Sequence, residues 1–209
     1  MVITYYGKQF FKLQVGDTVV AYNPISKSSK EKASKFRADI GLVSMHHPDF
    51  DGVDNLSYGD KNPFIISGPG EYEVKEIFIK GFPIETTYGG ETKINTVYSV
   101  LFENINVCFL GALPSSSAVT ADIKEKLGDI GILFVPICGG DMCSEAEAYK
   151  VGVSLEANII IPMDYSSSKS LETFLKEGGD GAEKSDKLTI KKKDLLDKQG
   201  DIVVLKSVV

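Results

Sequence analysis

The chain has 209 residues, of which 43% are hydrophobic, 10% aromatic and 25% charged. This ordinary globular composition argues against intrinsic disorder, collagen and coiled coil. The formal net charge of −6 supplies no general positive field for phosphates, so a general nucleic-acid or membrane-surface binder is not expected. A chain of this length buries about 70% of its unfolded surface, which suffices for one large core without disulfides or structural metals.

The cysteines and the first residues bear on the cellular compartment. Cys108, Cys138 and Cys143 cannot all pair with one another, and the first residues lack the basic and apolar regions of an export signal. No apolar run approaches the ~20 residues that span a bilayer. We therefore expect a cytoplasmic protein with reduced, partly buried thiols.

The first hundred residues are predicted to form mainly strands and turns. Short β-rich runs between glycine-containing turns are predicted as strands over 2–6, 10–14, 18–22, 40–44, 64–66, 71–74, 77–80, 96–102 and 106–110. The polar segment 27–36 has few apolar positions and is either a short exposed helix or a loop. The buried strand 40–44 runs into a polar loop, 45–52, and α/β folds place their chemistry in such loops.

From about residue 111, strands and helices alternate. Helices are predicted over 118–127, 144–155 and 171–176, and strands over 130–137, 159–161, 188–191 and 202–205. The second helix begins with a capping box, in which Ser144 accepts from the Glu147 amide and Glu147 reaches back. Because no linker separates two cores, residues 1–209 are predicted to form a single domain.

The loop 45–52 has two interpretations. In the structural one, Pro48 rigidifies the loop, and Asp49 or Asp51 caps the element that follows. In the functional one, His47 and Asp49 point at one metal ion, because these side chains lie two positions apart on a tight loop at a strand end.

Several short fragments occur in an order and spacing that match a known family: Ile3-Thr4-Tyr5-Tyr6-Gly7, Asn23-Pro24, Phe109-Leu110-Gly111-Ala112, Pro136-Ile137 with Gly139, and Pro162-Met163-Asp164-Tyr165. Together they resemble the metallo-β-lactamase fold, and within it the small metal-dependent hydrolases related to ascorbate-6-phosphate lactonase. The likeness covers roughly residues 2 to 165. It implies an α/β (α+β sandwich) fold of four layers, αββα, with two mixed sheets flanked by helices. It also implies a dizinc site that lowers the pKa of a bound water and polarises the substrate.

The ligand loop implied by this resemblance is only half retained. The family's loop reads His-x-His-x-Asp-His, in which the second histidine corresponds to His47 and the aspartate to Asp49. Met45 stands at the first histidine position and Phe50 at the last. Met45 is an uncharged thioether and Phe50 donates nothing, so neither replaces an imidazole ligand of zinc.

Other implied ligand positions are also changed. Ala112 replaces the bridging aspartate after Gly111, and Asp164 replaces the final histidine. Asn23 stands where the family has an aspartate that orients a ligand imidazole, and an amide supplies no carboxylate for that purpose. At 83–86, where a third histidine is expected, only Glu85 offers a ligand atom. The family's dizinc site is therefore not expected.

Three functions are left open. The first is a non-catalytic homologue that binds an unknown small molecule and holds no metal. The second is a metal-dependent hydrolase of a small anionic ester, lactone or phosphoester, whose reduced mononuclear site binds one Zn, Mn or Fe ion through His47, Asp49 and Asp164. Asp49 would be its catalytic residue and Glu85 an additional ligand. The third is a structural subunit of a homo-oligomer, and no nucleic-acid or membrane partner is expected for any of the three.

Overall fold

The structure is a computed structural model that describes residues 1–165, 167–179 and 181–209. Its strands are β1 (Val2–Tyr5), β2 (Phe11–Val15), β3 (Thr18–Tyr22), β4 (Ile40–Leu42), β5 (Phe64–Ile66), β6 (Gly70–Val74), β7 (Ile77–Tyr88), β8 (Glu91–Phe102), β9 (Ile105–Phe109), β10 (Ile132–Pro136), β11 (Ile159–Met163), β12 (Glu183–Ser185), β13 (Leu188–Thr189) and β14 (Asp201–Leu205). Its α-helices are α1 (Ala121–Leu127), α2 (Glu145–Ser154) and α3 (Ser168–Gly178).

The strands form two mixed sheets that pack face to face. One sheet has the order β13-β1-β2-β3-β4-β5, and the other has the order β12-β14-β11-β10-β9-β8-β7-β6. Alternating apolar side chains of both sheets fill the space between them. Stacked rings cross this core, with centroids 3.9 Å apart for Tyr22 and Phe109 and 4.4 Å apart for Phe109 and Phe134. The predicted sandwich of two mixed sheets with flanking helices is confirmed.

The two outer faces are covered differently. Helices α2 and α3 pack together over the eight-stranded sheet, where Leu133 and Phe174 share one buried cluster. The outer face of the six-stranded sheet is covered by Ile25, Phe36 and Leu56, which lie in loops and in a 3₁₀ helix at Val53–Leu56. The segment 27–36 is therefore a loop and not a helix.

The hairpin of β7 and β8 is much longer than predicted. Strand β7 was expected to end at residue 80, but it continues to Tyr88 and pairs with β8 along its whole length. In the first half of β7, Ile77 and Ile79 face the core between the sheets, whereas Ile84 and Thr86 in the second half are buried on the opposite face. This second half extends beyond the sandwich core towards the loop 45–52.

The local helix signal at Ser144 is confirmed. Ser144 is the N-cap of α2, and its side chain and that of Glu147 form the reciprocal capping box.

Strand β12, which was not predicted, pairs in parallel with β14. None of the helices that the structure describes is both long and apolar enough to cross a membrane.

Candidate functional site

The segments that carry the predicted site residues meet at one end of the sandwich. The loop 45–52 follows β4, Ala112 follows β9 and Asp164 follows β11. The turn between β1 and β2 closes the same end, because the backbone N–H of Asp164 donates to the carbonyl of Lys8 at 2.8 Å. Segments distant in sequence thereby build one cluster of polar and apolar side chains.

A lysine lies between the two predicted carboxylates. The Nζ of Lys8 is 3.3 Å from Oδ1 of Asp164 and 3.8 Å from Oδ2 of Asp49. The side chain of Asp164 is only 4% exposed, that of Asp49 is 15% exposed and that of Lys8 is 23% exposed. Asp49 and Asp164 are therefore brought close together, but with an ammonium group between them.

The protein environment keeps Lys8 and Asp49 ionised. Burial by itself would lower the pKa of Lys8, but the charges of Asp164 and Asp49 raise it above its ordinary value. Burial would likewise raise the pKa of Asp49, but hydrogen bonds from Ser29 and Tyr88, together with the charge of Lys8, bring that pKa below its ordinary value. Lys8 is thus a cation and Asp49 an anion at neutral pH.

A chain of buried, hydrogen-bonded side chains connects Asp164 to the six-stranded sheet. Nε2 of Gln9 donates to Oδ2 of Asp164 at 2.9 Å, and Nδ2 of Asn23 donates to Oε1 of Gln9 at 3.0 Å. Nδ2 of Asn23 also donates to Oγ of Ser44 at 2.9 Å, while its Oδ1 accepts from the Ser44 backbone N–H at 2.8 Å. Asn23 therefore connects the end of β3 to Ser44, which lies directly before the loop 45–52. Both polar atoms of the Asn23 side chain are hydrogen-bonded.

His47 and Asp49 contact each other and Tyr88. Nδ1 of His47 accepts from the backbone N–H of Asp49 at 3.1 Å and lies 3.6 Å from Oδ2 of Asp49. The hydroxyl of Tyr88 donates to Oδ2 of Asp49 at 3.0 Å, and the hydroxyl of Ser29 donates to Oδ1. The edge of the His47 ring packs against Tyr88, with centroids 4.7 Å apart. Asp49 is consequently bound by donors on both oxygens.

An apolar cluster contains three of the residues at which the resemblance predicts changed ligands. Met45, Phe50 and Ala112 are buried together with Met142, and Tyr88 and Cys138 border them. Three of the four buried members thus stand where the resemblance places two histidines and one aspartate. We call these four residues, Met45, Phe50, Ala112 and Met142, the apolar plug.

Side-chain hydrogen bonds fix the backbone at Ala112. Oδ1 of Asn95 accepts from the Ala112 N–H at 2.9 Å, and the hydroxyl of Thr86 donates to the Ala112 carbonyl at 2.9 Å. Gly111 has φ +62°, and a Cβ there would lie 2.2 Å from Oδ1 of Asn95, so only glycine fits. The loop after β9 therefore keeps a defined shape with an alanine at its tip.

Glu85 is not brought to this cluster. It is exposed, and it points to the opposite face of β7 from its neighbour Thr86, because side chains alternate along a strand. The same alternation directs Tyr88 at Asp49. Thr86 and Tyr88 are therefore the residues that this part of the hairpin contributes to the site.

Sequence reasoning missed several residues of the site, namely Lys8, Gln9, Ser29, Thr86 and Tyr88. Ser29 and Tyr88 belong to a polar loop and a glycine turn, where their residue types are common and carry no signal. Lys8 and Gln9 follow Gly7 in the turn between β1 and β2. The sequence gives no signal for either residue, because the full burial of Gln9 is visible only in the structure.

The cysteines are free thiols, as predicted. Burial raises the pKa of Cys138 to about 12, and the nearby charge of Asp164 acts in the same direction. Burial and the nearby charge of Glu147 raise the pKa of Cys143 to about 12. Neither thiol is therefore an ionised nucleophile at neutral pH.

The donor set does not suit a divalent metal ion. Among the residues 1–165, 167–179 and 181–209, no three His, Cys, Asp or Glu side chains are grouped so that they could hold one. The ammonium of Lys8 lies between Asp49 and Asp164, and the apolar plug fills other ligand positions. Zinc sites need three or four nitrogen, sulfur or carboxylate donors around one point.

Comparisons with known proteins identify the family. Residues 2–164 match the model of the beta-lactamase superfamily domain. A structure from Thermotoga maritima, assigned to the Zn-dependent hydrolases of the metallo-β-lactamase superfamily, is 28% identical with a TM-score of 0.76, and the match covers 98% of this chain and 97% of that one. No protein of curated function matches the chain by sequence.

More distant structures share the fold. A protein from Parabacteroides distasonis, assigned as a metal-dependent hydrolase, has 17% identity and a TM-score of 0.67, with 98% of this chain and 93% of that chain covered. A metallo hydrolase from Ignicoccus hospitalis has 16% identity and a TM-score of 0.62, with coverages of 99% and 95%. The resemblance to ascorbate-6-phosphate lactonase in particular stays a prediction. The sandwich topology and the match over residues 2–164 together make this chain a member of the beta-lactamase superfamily with the metallo-β-lactamase fold.

Proposed function

We propose that this chain is a non-catalytic, ligand-binding homologue of the metal-dependent hydrolases whose fold it shares. The observation that carries the proposal is the apolar plug, in which Met45, Phe50 and Ala112 are buried at three positions of the family's ligands. Hydrolysis in the family needs a metal that lowers the pKa of a bound water to ~7. Side chains without donor atoms of the required type supply no such centre.

The reduced mononuclear site is the competing proposal. It would use His47, Asp49 and Asp164 around one divalent ion. The position of Lys8 argues against it, because an ammonium group within 4 Å of both carboxylates repels a second cation. We therefore place the non-catalytic function first.

Metal content and hydrolysis test the choice between the two proposals. Untagged wild-type protein purified without chelator is expected to hold far less than one equivalent of Zn, Mn or Fe by mass spectrometry, and His47→Ala is expected to hold the same trace. Neither protein is expected to hydrolyse p-nitrophenyl phosphate or a simple lactone above the buffer rate. Near one equivalent of metal that disappears in His47→Ala would instead establish the mononuclear hydrolase.

A groove beside the apolar plug is the site that we propose for the ligand. Its cavity volume is about 470 Å³, and it runs between the second half of the β7–β8 hairpin and the loops after β4 and β5. Met45, Pro69, Pro83 and Ile94 contribute apolar surface, and the side chain of Ile94 is 52% exposed. An exposed isoleucine next to two prolines favours a small, largely apolar molecule, since binding would remove that surface from water.

A charge at Ile94 tests this groove. The apolar dye 8-anilinonaphthalene-1-sulfonate is expected to gain fluorescence with the wild-type protein and to lose most of that gain with Ile94→Glu, because a carboxylate in the groove must be desolvated when the dye binds. Leu196→Glu is the control, since Leu196 is an exposed apolar residue that directly follows the 3₁₀ helix at Lys192–Leu195, away from the groove. Equal losses in the two variants would contradict binding in the groove.

A further inference from the structure

We propose that the ammonium of Lys8 is the resident cation of this site, which holds Asp49 and Asp164 together and keeps a divalent metal out. The inference rests on the proposed function, in which the metal is lost, and it names the group that occupies the metal's place. The family's chemistry needs a metal centre, and the donors present in this site do not suit one. The site has two carboxylates at one end of the sandwich, Asp49 at the aspartate position of the resemblance and Asp164 at its final histidine position, and a cation of the protein's own lies between them.

The backbone directs Lys8 into this position. Lys8 has φ +52°, an uncommon conformation for a residue other than glycine. Its carbonyl accepts from the Asp164 N–H at 2.8 Å and from the Tyr5 hydroxyl at 2.8 Å. Asp164 itself has φ +55°. The backbone hydrogen bond from Asp164 to Lys8 thus joins two residues in left-handed conformations, as expected where the surroundings over-determine a strained backbone.

Both carboxylates also accept hydrogen bonds from other protein donors. Oδ2 of Asp164 accepts from Gln9, while Asp49 accepts from Ser29 and Tyr88. A metal ion would have to displace the ammonium of Lys8 and some of these donors at once. The apolar plug adds no compensating ligand on the other side.

Lys8 supplies the positive charge that partly offsets the two carboxylates. Asp164 is 4% exposed, and a carboxylate buried to this degree needs a partner of opposite charge or several hydrogen bonds. Gln9 supplies one hydrogen bond and Lys8 supplies the charge. Removing Lys8 would leave the carboxylates of Asp49 and Asp164 without the ammonium between them, and carboxylate oxygens are ligands that Mn²⁺ and Zn²⁺ accept.

The test is the thermal stability of Lys8→Met with and without added Mn²⁺ or Zn²⁺. Without metal, Lys8→Met is expected to lower the Tm by about 4–8 °C, since it leaves a partly buried pair broken. Metal at about 100 times its Kd is expected to restore about 5 °C or more in this variant, and no comparable rise is expected in the wild type. Lys75→Met is the matched control, because Lys75 pairs with Asp39 away from this site. It is expected to show no metal response.

A double variant separates the ion pair from general damage to the fold. In Lys8→Met/Asp164→Asn the unpaired buried charge is gone, so part of the lost Tm is expected to return, and the metal response is expected to vanish. Asparagine also tolerates the positive φ at position 164.

Two results would overturn the inference. A Lys8→Met protein as stable as the wild type, or one without any metal response, would show that Lys8 is not the resident cation, and the non-catalytic function would still stand. A wild-type protein that is stabilised by metal as strongly as Lys8→Met, with the effect lost in Asp164→Asn, would contradict both the resident cation and the non-catalytic function.

Discussion

Replacing Phe50 with alanine is expected to lower the free energy of unfolding by about 3–5 kcal/mol. Phe50 has no exposed surface, and its ring lies 5.1 Å from that of Tyr88 and 5.9 Å from that of His47, measured between centroids. Its removal would leave a cavity among Met45, Ala112 and Met142, which belong to separate loops and cannot close fully around it. Urea unfolding with an unchanged m value would report the loss as stability alone.

Phe64→Ala is the control for this experiment. Phe64 lies on the edge strand β5 and is 53% exposed, so its truncation is expected to cost less than about 1 kcal/mol. A similarly small loss for Phe50→Ala would mean that the plug is loosely packed. In that case the changed ligand positions would border an open pocket, and the main support for the proposed function would be removed.

Replacing Gly52 with alanine is expected to destabilise the protein by about 3 kcal/mol. A Cβ on Gly52 would lie 2.3 Å from the carbonyl oxygen of Ile25 and 2.4 Å from the nitrogen of Ser26. Both atoms belong to the backbone, so the side chain cannot rotate away and one of the two loops must move.

The same contact positions the loop that carries His47 and Asp49. The N–H of Gly52 donates to the Pro24 carbonyl at 2.7 Å, and the N–H of Ser26 donates to the Pro48 carbonyl at 2.8 Å. Amide NMR shifts in Gly52→Ala should therefore be largest in loop 45–52 and around Ser26. Gly68→Ala is the matched control, because nothing lies within 4 Å of its added Cβ, and its expected change is below about 0.5 kcal/mol. Equal effects of the two substitutions would contradict the close loop contact.

Much of the fold follows from local pattern. The order of strands and helices and the capping box of α2 were predicted correctly because each depends on residues within a few positions of one another. The second half of β7 was missed for an equally physical reason. Its buried side chains change face after Gly81, so the alternation of apolar residues is interrupted and the strand signal disappears from the sequence.

The candidate site also combines features that follow from local sequence with contacts that depend on the whole fold. That Met45, Phe50 and Ala112 stand at changed ligand positions is a prediction from the resemblance, which needs only residue type and order. What fills the site depends on contacts that are visible only in the folded chain. Gln9 and Asp164 are 155 positions apart, and Lys8 reaches both carboxylates only because two sheets bring their strand ends together. No spacing along a chain encodes such a contact, because its geometry depends on the packing of both sheets at once.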